Sequence, residues 1–540
     1  MSTVLAAAAP ADAPLRRNRL RWCWAGFAVV LLLWSLTGAG LFSGPVLNPG
    51  GLGQFGRFAS AALSPTHDAR FLGVLAQATL VTVAYAALGA GLVVLLGAVG
   101  AVAVARTTWG RRRAGWTATR TVLAVPRGLH EAVWGLLLVN VLGLDPWVGV
   151  LAIAIPYGAI TAKVFADLLD EVPRGPYQAL LAAGAGRGVA ALYGLLPSAS
   201  GGLLSYSFYR LECAVRSAVV LGLIGAGGLG YQLLLSFASL RWEQVWACVY
   251  VLAALCAGAD LGGRALRRRV AEPRAPGGTR LQRDRVLTGA VAGTLTLVAW
   301  SWWYLAITPV TLFSGRTGDQ LGYVLGAAWP PKADGPLLRA IASAAVDTVQ
   351  MSVIAIALAT GGALLLSGIA ARPRGRCGPG RRLAGVLVRL LLLLLRAVPP
   401  PVWALVLLFV LLPGVLPGAL ALGVYTLGVL GRLVAGAAEE VDPRPREVLR
   451  ASGAPPLAGW LYGVLPALGG PVLALALYRW EVAVRDTVLV GLLGAGGIGV
   501  LLSGRIAAFD WAAVTTVLVA IVLMTLAVDL VSERARTAVR

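Results

Sequence analysis

Lysine is nearly absent from these 540 residues: Lys163 and Lys332 are the only two, beside two histidines and five cysteines. A phosphate-binding loop of the GxxxxGK[ST] type needs a lysine after its last glycine, and neither lysine has that context. No ATP site is therefore expected in this chain. Cys23, Cys213, Cys248, Cys256 and Cys377 form no CxxC pair, and the histidines lie far apart, so neither a metal nor a redox centre is expected. No nucleophile elbow or other paired catalytic constellation occurs, which argues against an enzyme. Charge is scarce too. Charged residues make up 13% of the chain, against about 25% in a soluble protein.

What the chain has instead is apolar length. Hydrophobic residues reach 58%, and the mean hydropathy is +0.79. Apolar runs of about 20 residues recur throughout, the length a helix needs to cross a bilayer. Backbone groups in lipid must be satisfied internally, so runs this long mean helices rather than the short alternating strands of a barrel. The formal net charge of +22 comes almost wholly from arginine, clustered between apolar runs. That is the pattern of positive-inside loops rather than of a nucleic-acid surface. Arg16, Arg17, Arg19 and Arg21 precede an apolar run from Trp22 to Leu41, too long for a signal-peptide core. It reads as a retained first helix with a cytoplasmic N-terminus.

The chain repeats itself. YRLECAVRSAVVLGLIGAGGLG from Tyr209 returns as YRWEVAVRDTVLVGLLGAGGIG from Tyr478, an offset of 478 − 209 = 269. The same offset relates Arg127 to Arg396, Trp134 to Trp403, Trp242 to Trp511, Asp260 to Asp529 and Thr79 to Thr348. An LFSG tetrapeptide recurs at Leu41 and Leu312 with an offset of 271, which requires a small insertion. The expected domains are a first repeat over 1–263, a basic cytoplasmic linker over 264–285 and a second repeat over 286–540. Helices are predicted near 22–42, 73–105, 117–142, 147–169, 198–222 and 243–264. Their partners fall near 286–308, 341–371, 383–412, 416–437, 467–493 and 511–531. This is an all-α membrane protein of two parallel six-helix bundles, about 12 spans, with both termini cytoplasmic. The segments that must face inside carry arginine, whereas outside connections such as NVLGLDP from Asn140 carry almost none.

The most informative segment lies between the fourth and fifth helices of each half: EVPRGPYQALLAAGAGRGVAALYGLLPSA from Glu171 and EVDPRPREVLRASGAPPLAGWLYGVLPAL from Glu440. Each has a short helix, a glycine, a second short segment and a Leu-Pro. Gly184 to Pro197 and Gly453 to Pro466 are both 13 residues apart. Small residues allow close approach, and the glycine permits the turn. The pattern resembles the coupling motif of ABC-importer permeases, in which an EAA stretch is followed by a glycine and a Leu-Pro. By position Glu447, Gly453 and Pro466 match its Glu, Gly and Pro. In the first half Gly184 and Pro197 match, Ala179 falls in the small-residue stretch, and Gln178 replaces the Glu. Downstream, YRxExxxR followed by GLxGAGGxG resembles the phosphonate-importer permease. RGLHEAVWGLLLV from Arg127 and RAVPPPVWALVLLFV from Arg396 resemble another of its segments, with His130 and Pro400 as departures. The resemblance covers most of each half and looks like two permease units fused in tandem. It implies two copies of a cytoplasmic ABC ATPase seated on the two loops, with ATP used there. It also implies an extracytoplasmic binding protein, and a phosphonate or related phosphorus oxyanion as cargo.

Two arginine–glutamate–arginine triads, Arg210, Glu212, Arg216 and Arg479, Glu481, Arg485, lie in the fifth helices. A charge at mid-membrane costs roughly 2.5–3.5 kcal/mol on insertion scales. Glu212 with Arg216 and Glu481 with Arg485 stand at i and i+4, so these pairs are expected to offset part of that cost. Arg210 and Arg479 would then remain to attract an anion in a translocation pathway. A structural ion pair between helices is the alternative reading. The glycines Gly225, Gly227 and Gly230, and Gly494, Gly496 and Gly499, literally match GxGxxG. However, no βαβ pattern follows, and they fall on the outer side, so a turn or gate is expected rather than a dinucleotide loop. An ion-coupled secondary transporter would share the hydropathy but leaves duplicated coupling loops unexplained. A non-transporting membrane scaffold or enzyme is the third option.

Overall fold

The computed structural model describes residues 13–42, 44–109, 113–271, 284–372 and 378–539. Apart from one isolated antiparallel bridge between Leu47 and Leu411, the described residues form helices and their connections. The first half comprises α1 (Ala13–Gly38), α2 (Leu52–Ala61), α3 (Ala69–Val104), α4 (Arg113–Val122), α5 (Ala124–Gly128) and α6 (Glu131–Leu142). It continues with α7 (Pro146–Glu171), α8 (Gly175–Ala182), α9 (Leu196–Leu221), α10 (Gly228–Ala238) and α11 (Trp242–Ala271). The second half repeats the series as α12 (Arg285–Tyr304), α13 (Gly315–Ala328), α14 (Gly335–Ala370), α15 (Pro379–Ala397), α16 (Pro400–Val410) and α17 (Val415–Glu440). Then follow α18 (Arg444–Ala451), α19 (Pro456–Gly463), α20 (Leu465–Leu492), α21 (Ile498–Ala507) and α22 (Trp511–Val539). Eight of these helices are long and apolar enough to cross a membrane, and three bent pairs bring the spans to 11. The apolar stretch Cys23–Gly38 of α1 is shorter, and it stands where the repeat predicts the partner of α12.

Matched caps start matched helices. The Asp68 carboxylate accepts from the backbone N–H groups of Arg70 and Phe71 at the head of α3, and that of Asp334 from Leu337 at the head of α14. These caps are 266 residues apart, not 269. The predicted equivalence of Thr79 with Thr348 is therefore shifted by three, and Thr82 is the true partner. Its hydroxyl accepts from Leu229 N–H at 2.8 Å, as that of Thr348 does from Ile498 N–H at 2.9 Å. Helices α3 and α7 cross closely because small residues let them. A Cβ on Gly149 would lie 2.7 Å from the Tyr85 ring, and one on its counterpart Gly418 2.7 Å from Met351.

The sequence repeats are not separate packing units. Helix α1 lies against α14 and α22 of the second half, and α12 against α3 and α11 of the first. The bent third spans exchange too. Val398, Val402 and Val406 enter the first half's core beside Trp242 and Phe237, while Leu129 and Val133 enter the second half's core beside Val488 and Leu502. Two expectations are corrected here. The third spans were predicted as single helices, but they bend by 83° at Leu129–His130 and by 94° at Val398–Pro399. The linker was predicted from residue 264, but α11 runs on to Ala271, and Val270 packs with Phe208 and Leu287. The rest of the predicted linker, 272–283, lies outside the described residues.

Both bends are closed by the same device. The Trp134 indole donates to the Pro126 carbonyl at 3.2 Å and the Trp403 indole to the Leu395 carbonyl at 3.3 Å. The helix that follows the bend starts with unpaired N–H groups. In the first half His130 Nδ1 accepts one of them, from Ala132, at 3.1 Å. In the second half Pro399, Pro400 and Pro401 carry no N–H to satisfy. The departures at His130 and Pro400 are thus two solutions to one problem.

Candidate functional site

Three features line up along each half: a loop at one end, a charged layer within the span, and a glycine turn beyond it. At the loop end, α8 with the segment Arg187–Ala190, and α18 with α19, form matched short helical hairpins. The turn in each is a Schellman motif. Ala185 N–H donates to the Leu180 carbonyl at 3.0 Å and Ala454 N–H to that of Leu449 at 2.9 Å. Gly184 and Gly453 supply the left-handed residue this requires, at φ +86° and +84°. Where the two pieces cross, a Cβ on Gly194 would lie 2.8 Å from the Tyr177 backbone, and one on Gly463 2.9 Å from that of Arg446. Pro197 and Pro466 start α9 and α20. Gln178, Ala179 and Glu447 are exposed, and beside them stand the exposed pairs Tyr193 with Tyr462 and Leu192 with Leu461. Each pair is again 269 apart. Apolar rings held out at the water-facing end of a membrane protein mark a contact surface.

The predicted i, i+4 ion pairs do not form. Glu212 binds Arg267 at 3.0 Å, and Glu481 binds Arg536 at 2.6 Å. Both partners sit on the last helix of their half, 536 − 267 = 269 residues apart. The reason is the extra helical length of α11 and α22, which carries a guanidinium back beside the fifth span. Among the described residues, Arg210, Arg216, Arg479 and Arg485 make no ion pair at all. Arg210 donates to the Tyr206 hydroxyl and lies 5.1 and 4.9 Å from the ring centres of Tyr157 and Tyr206. Arg216 donates to Cys213 Sγ at 3.8 Å, and Arg485 to the Arg127 carbonyl of the other half at 3.0 Å. Arg479 is only 9% exposed, and its Nε and Nη2 are without hydrogen-bond partners. Tyr425 has Arg216 of the first half and Arg479 of the second as charged neighbours, together with Asp486, whose carboxylate faces His130 at 3.5 Å, and Tyr478 lies beside Tyr206 and Tyr209. The two triads therefore converge at the interface between the halves. Tyr157, Tyr206 and Tyr425 went unnoticed in the sequence because nothing in their spacing sets them apart from core aromatics.

The glutamates serve the walls of this layer. Replacing Arg267 by Ala should leave Glu212 buried without its cation. This is expected to cost about 3–5 kcal/mol, the range for breaking a buried pair. Thermal unfolding of the detergent-purified protein would read the loss, and Glu212→Gln on the same background should restore most of it.

Beyond the arginines, the chain turns sharply at the glycines. In the first half Gly225, Gly227 and Gly228 have φ of +103°, +87° and +74°; in the second, Gly494, Gly496 and Gly497 have +90°, +94° and +73°. Gly230 and Gly499 serve close packing instead. A Cβ there would fall 1.9 and 2.2 Å from the carbonyl oxygens of Val219 and Val488. Each turn is pinned by a threonine of the second span, Thr82 in the first half and Thr348 in the second. Just before it, Val220 of the first half packs with Leu489 of the second, again 269 apart, with Ala132, Ile224 and Leu492 around them. This apolar contact closes the interface on the side away from the loops. Thr82→Val should leave Leu229 N–H without its acceptor, and a melting-temperature loss equivalent to about 1–3 kcal/mol is expected.

The comparisons with known proteins agree with this geometry. The family model described as binding-protein-dependent transport system inner membrane component matches twice, over residues 94–272 and 363–540. A protein of Mycolicibacterium smegmatis named phosphate-import permease protein PhnE is 30% identical over 419 residues, covering 76% of each chain. The phosphite transport system permease protein PtxC of Stutzerimonas stutzeri is 34% identical over 242 residues, 45% of this chain and 85% of its own. An Escherichia coli (strain K12) protein named for a cryptic phosphonate transport system, PhnE2, is 41% identical over 117 residues, 22% of this chain and 96% of its own. No solved structure gives a significant match. With the family's region present once in each half, and both regions built on the same loop, charged layer and turn, the chain belongs to the inner membrane components of binding-protein-dependent transport systems, as two such units in one polypeptide.

Proposed function

We propose that this chain forms the complete translocation pathway of an ATP-driven importer for a phosphonate or a related phosphorus oxyanion. The observation that carries the cargo class is the convergence of four arginines, none engaged by a carboxylate, with a ring of tyrosines between the halves. A guanidinium offers paired donors that match the oxygens of a phosphate-like group, and tyrosine hydroxyls add neutral donors that do not compete for the charge. The names of the relatives, which specify phosphate, phosphite and phosphonate, support the same class.

Two copies of a cytoplasmic ATPase would dock on the hairpins around Gly184 and Gly453, and both termini would lie on that side. An extracytoplasmic binding protein would deliver cargo above the Val220–Leu489 contact. In this reading the conformation is closed outward, and ATP binding by the ATPase docked on the hairpins parts the Val220–Leu489 contact. The chain itself binds no cofactor, and ATP acts in the partner subunit. Reconstitution with the ATPase and the binding protein tests this. Uptake of radiolabelled methylphosphonate, phosphite or phosphate should require ATP and be unaffected by collapsing the proton gradient. Uptake driven by the gradient without ATPase would instead establish a secondary transporter.

A further inference from the structure

A second cluster of arginines adjoins this charged layer, at the loop end of the crevice between α11 and α15, where Asp260 lies beside Glu212. A cavity of about 560 Å³ opens there. At its floor three guanidiniums converge on one carboxylate: Arg396 and Arg432 reach Asp260 Oδ2 at 2.6 Å each, and Arg264 reaches it at 3.2 Å. One negative charge shared by three positive ones leaves a surplus of two, and Arg396 is only 9% exposed. Buried charge of one sign is costly unless an opposite charge joins it. Arg268, Arg372 and Arg389 line the walls; among the described lining residues the one further acid is Glu439, since Glu212 beside Asp260 is already engaged by Arg267. Six arginines against two carboxylates leave +4.

The repeat supplies an internal control. At the equivalent positions in the other half stand Arg106, Arg120, Arg127 and Lys163, against Asp167, Asp170, Asp529 and Glu533. Four charges of each sign leave zero. Two exchanges matter most. Asp167 binds Arg120 at 2.5 Å, but Gly436 stands in its place in the second half, and among the described residues Arg389 has the Gly385 carbonyl alone. Glu533 is matched by Arg264. The fold thus neutralises one of two related crevices with its own side chains and leaves the other strongly positive.

The mouth of the positive crevice is apolar. Leu261, Val386 and Leu390 are 62%, 46% and 55% exposed on the membrane-facing surface of α11 and α15. A phosphate-bearing group entering here would have its charge among the arginines and hydrocarbon chains along these side chains. We infer that this crevice binds the headgroup of an anionic phospholipid, one per chain, from the leaflet on the loop side. Basic pockets between spans at that face suit such headgroups. The lipid supplies in the second half the charge that Asp167 and Glu533 supply elsewhere, and it bridges α11 of the first half to α15 and α17 of the second.

Gly436→Asp is the decisive variant. A Cβ on Gly436 meets nothing within 4 Å, so the substitution places a carboxylate beside Arg389 where Asp167 stands beside Arg120, without a clash. Native mass spectrometry of the full chain, released from nanodiscs of phosphatidylcholine with phosphatidylglycerol, should show one retained phosphatidylglycerol. Gly436→Asp and the double variant Arg268→Ala, Arg389→Ala should each lose it, with melting temperatures measured beside them to show that the fold persists. Equal retention in all variants would overturn the inference. So would displacement of the phosphatidylglycerol by millimolar inorganic phosphate, which would assign the crevice to the free anion.

Discussion

Replacing Gly184 and Gly453 together by valine is expected to abolish uptake while leaving the protein in the membrane. Both glycines stand at positive φ in the Schellman turns of the two hairpins, with open space around the position of a Cβ. The penalty is therefore purely conformational. A β-branched residue at such a φ costs about 1–3 kcal/mol. That exceeds what a short exposed hairpin can absorb, but it is a modest fraction of the stability of a bundle of this size. The turn should re-form elsewhere, moving Tyr193 and Tyr462 off their positions. Expression and melting temperature are expected to stay near normal, whereas co-purification of the ATPase falls and ligand-stimulated ATP hydrolysis disappears. The single variants separate the two loops. If the exposed carboxylate of Glu447 strengthens docking relative to Gln178, Gly453→Val alone should cost more uptake than Gly184→Val. Normal uptake by the double variant would show that the hairpins do not transmit force.

Hydropathy and the 269-residue offset were sufficient to read an all-helical membrane chain with two related halves, because both signals are carried locally along the chain. Three features were not legible, each for a physical reason. The bends at His130 and Pro399 leave apolar composition unchanged, so a run of about 25 residues reads as one straight helix although an 83° turn divides it. The partners of Glu212 and Glu481 lie some 55 residues away, in stretches whose arginines look like linker charge. Sequence spacing favours the neighbour four residues on, but a long side chain follows whichever counter-charge packing brings nearest. Finally, repeat equivalence says nothing about which half a helix packs against. α1 and α12 each lie on the opposite half, so the halves share a core that neither repeat could form alone.

Removing Arg216 and Arg479 together should cut uptake at least a hundredfold and at the same time leave the protein no less stable. The two effects follow from one fact: these guanidiniums are held within the membrane without a carboxylate. Insertion of each charge costs roughly 2.5–3.5 kcal/mol. Arg479 gains little in return, since two of its nitrogens are without partners. Alanine relieves that cost, so a melting temperature equal to or above that of the parent is expected, the usual signature of a site kept for function at the expense of stability. Cargo loses by the same substitution. A hydrogen bond to a charged group contributes about 1.5–3 kcal/mol, roughly tenfold or more in affinity for each arginine. Lysine in both places separates charge from geometry. It restores the electrostatic attraction but not the paired donors, so uptake should recover only in part. Arg210→Ala behaves differently, because that guanidinium is stacked among Tyr157 and Tyr206. Its loss should loosen the tyrosine ring and lower the melting temperature as well as uptake. Undiminished uptake in the Arg216→Ala, Arg479→Ala variant would mean that the anion passes elsewhere. A matching loss of stability would mean that these arginines are structural, as Glu212 and Arg267 are.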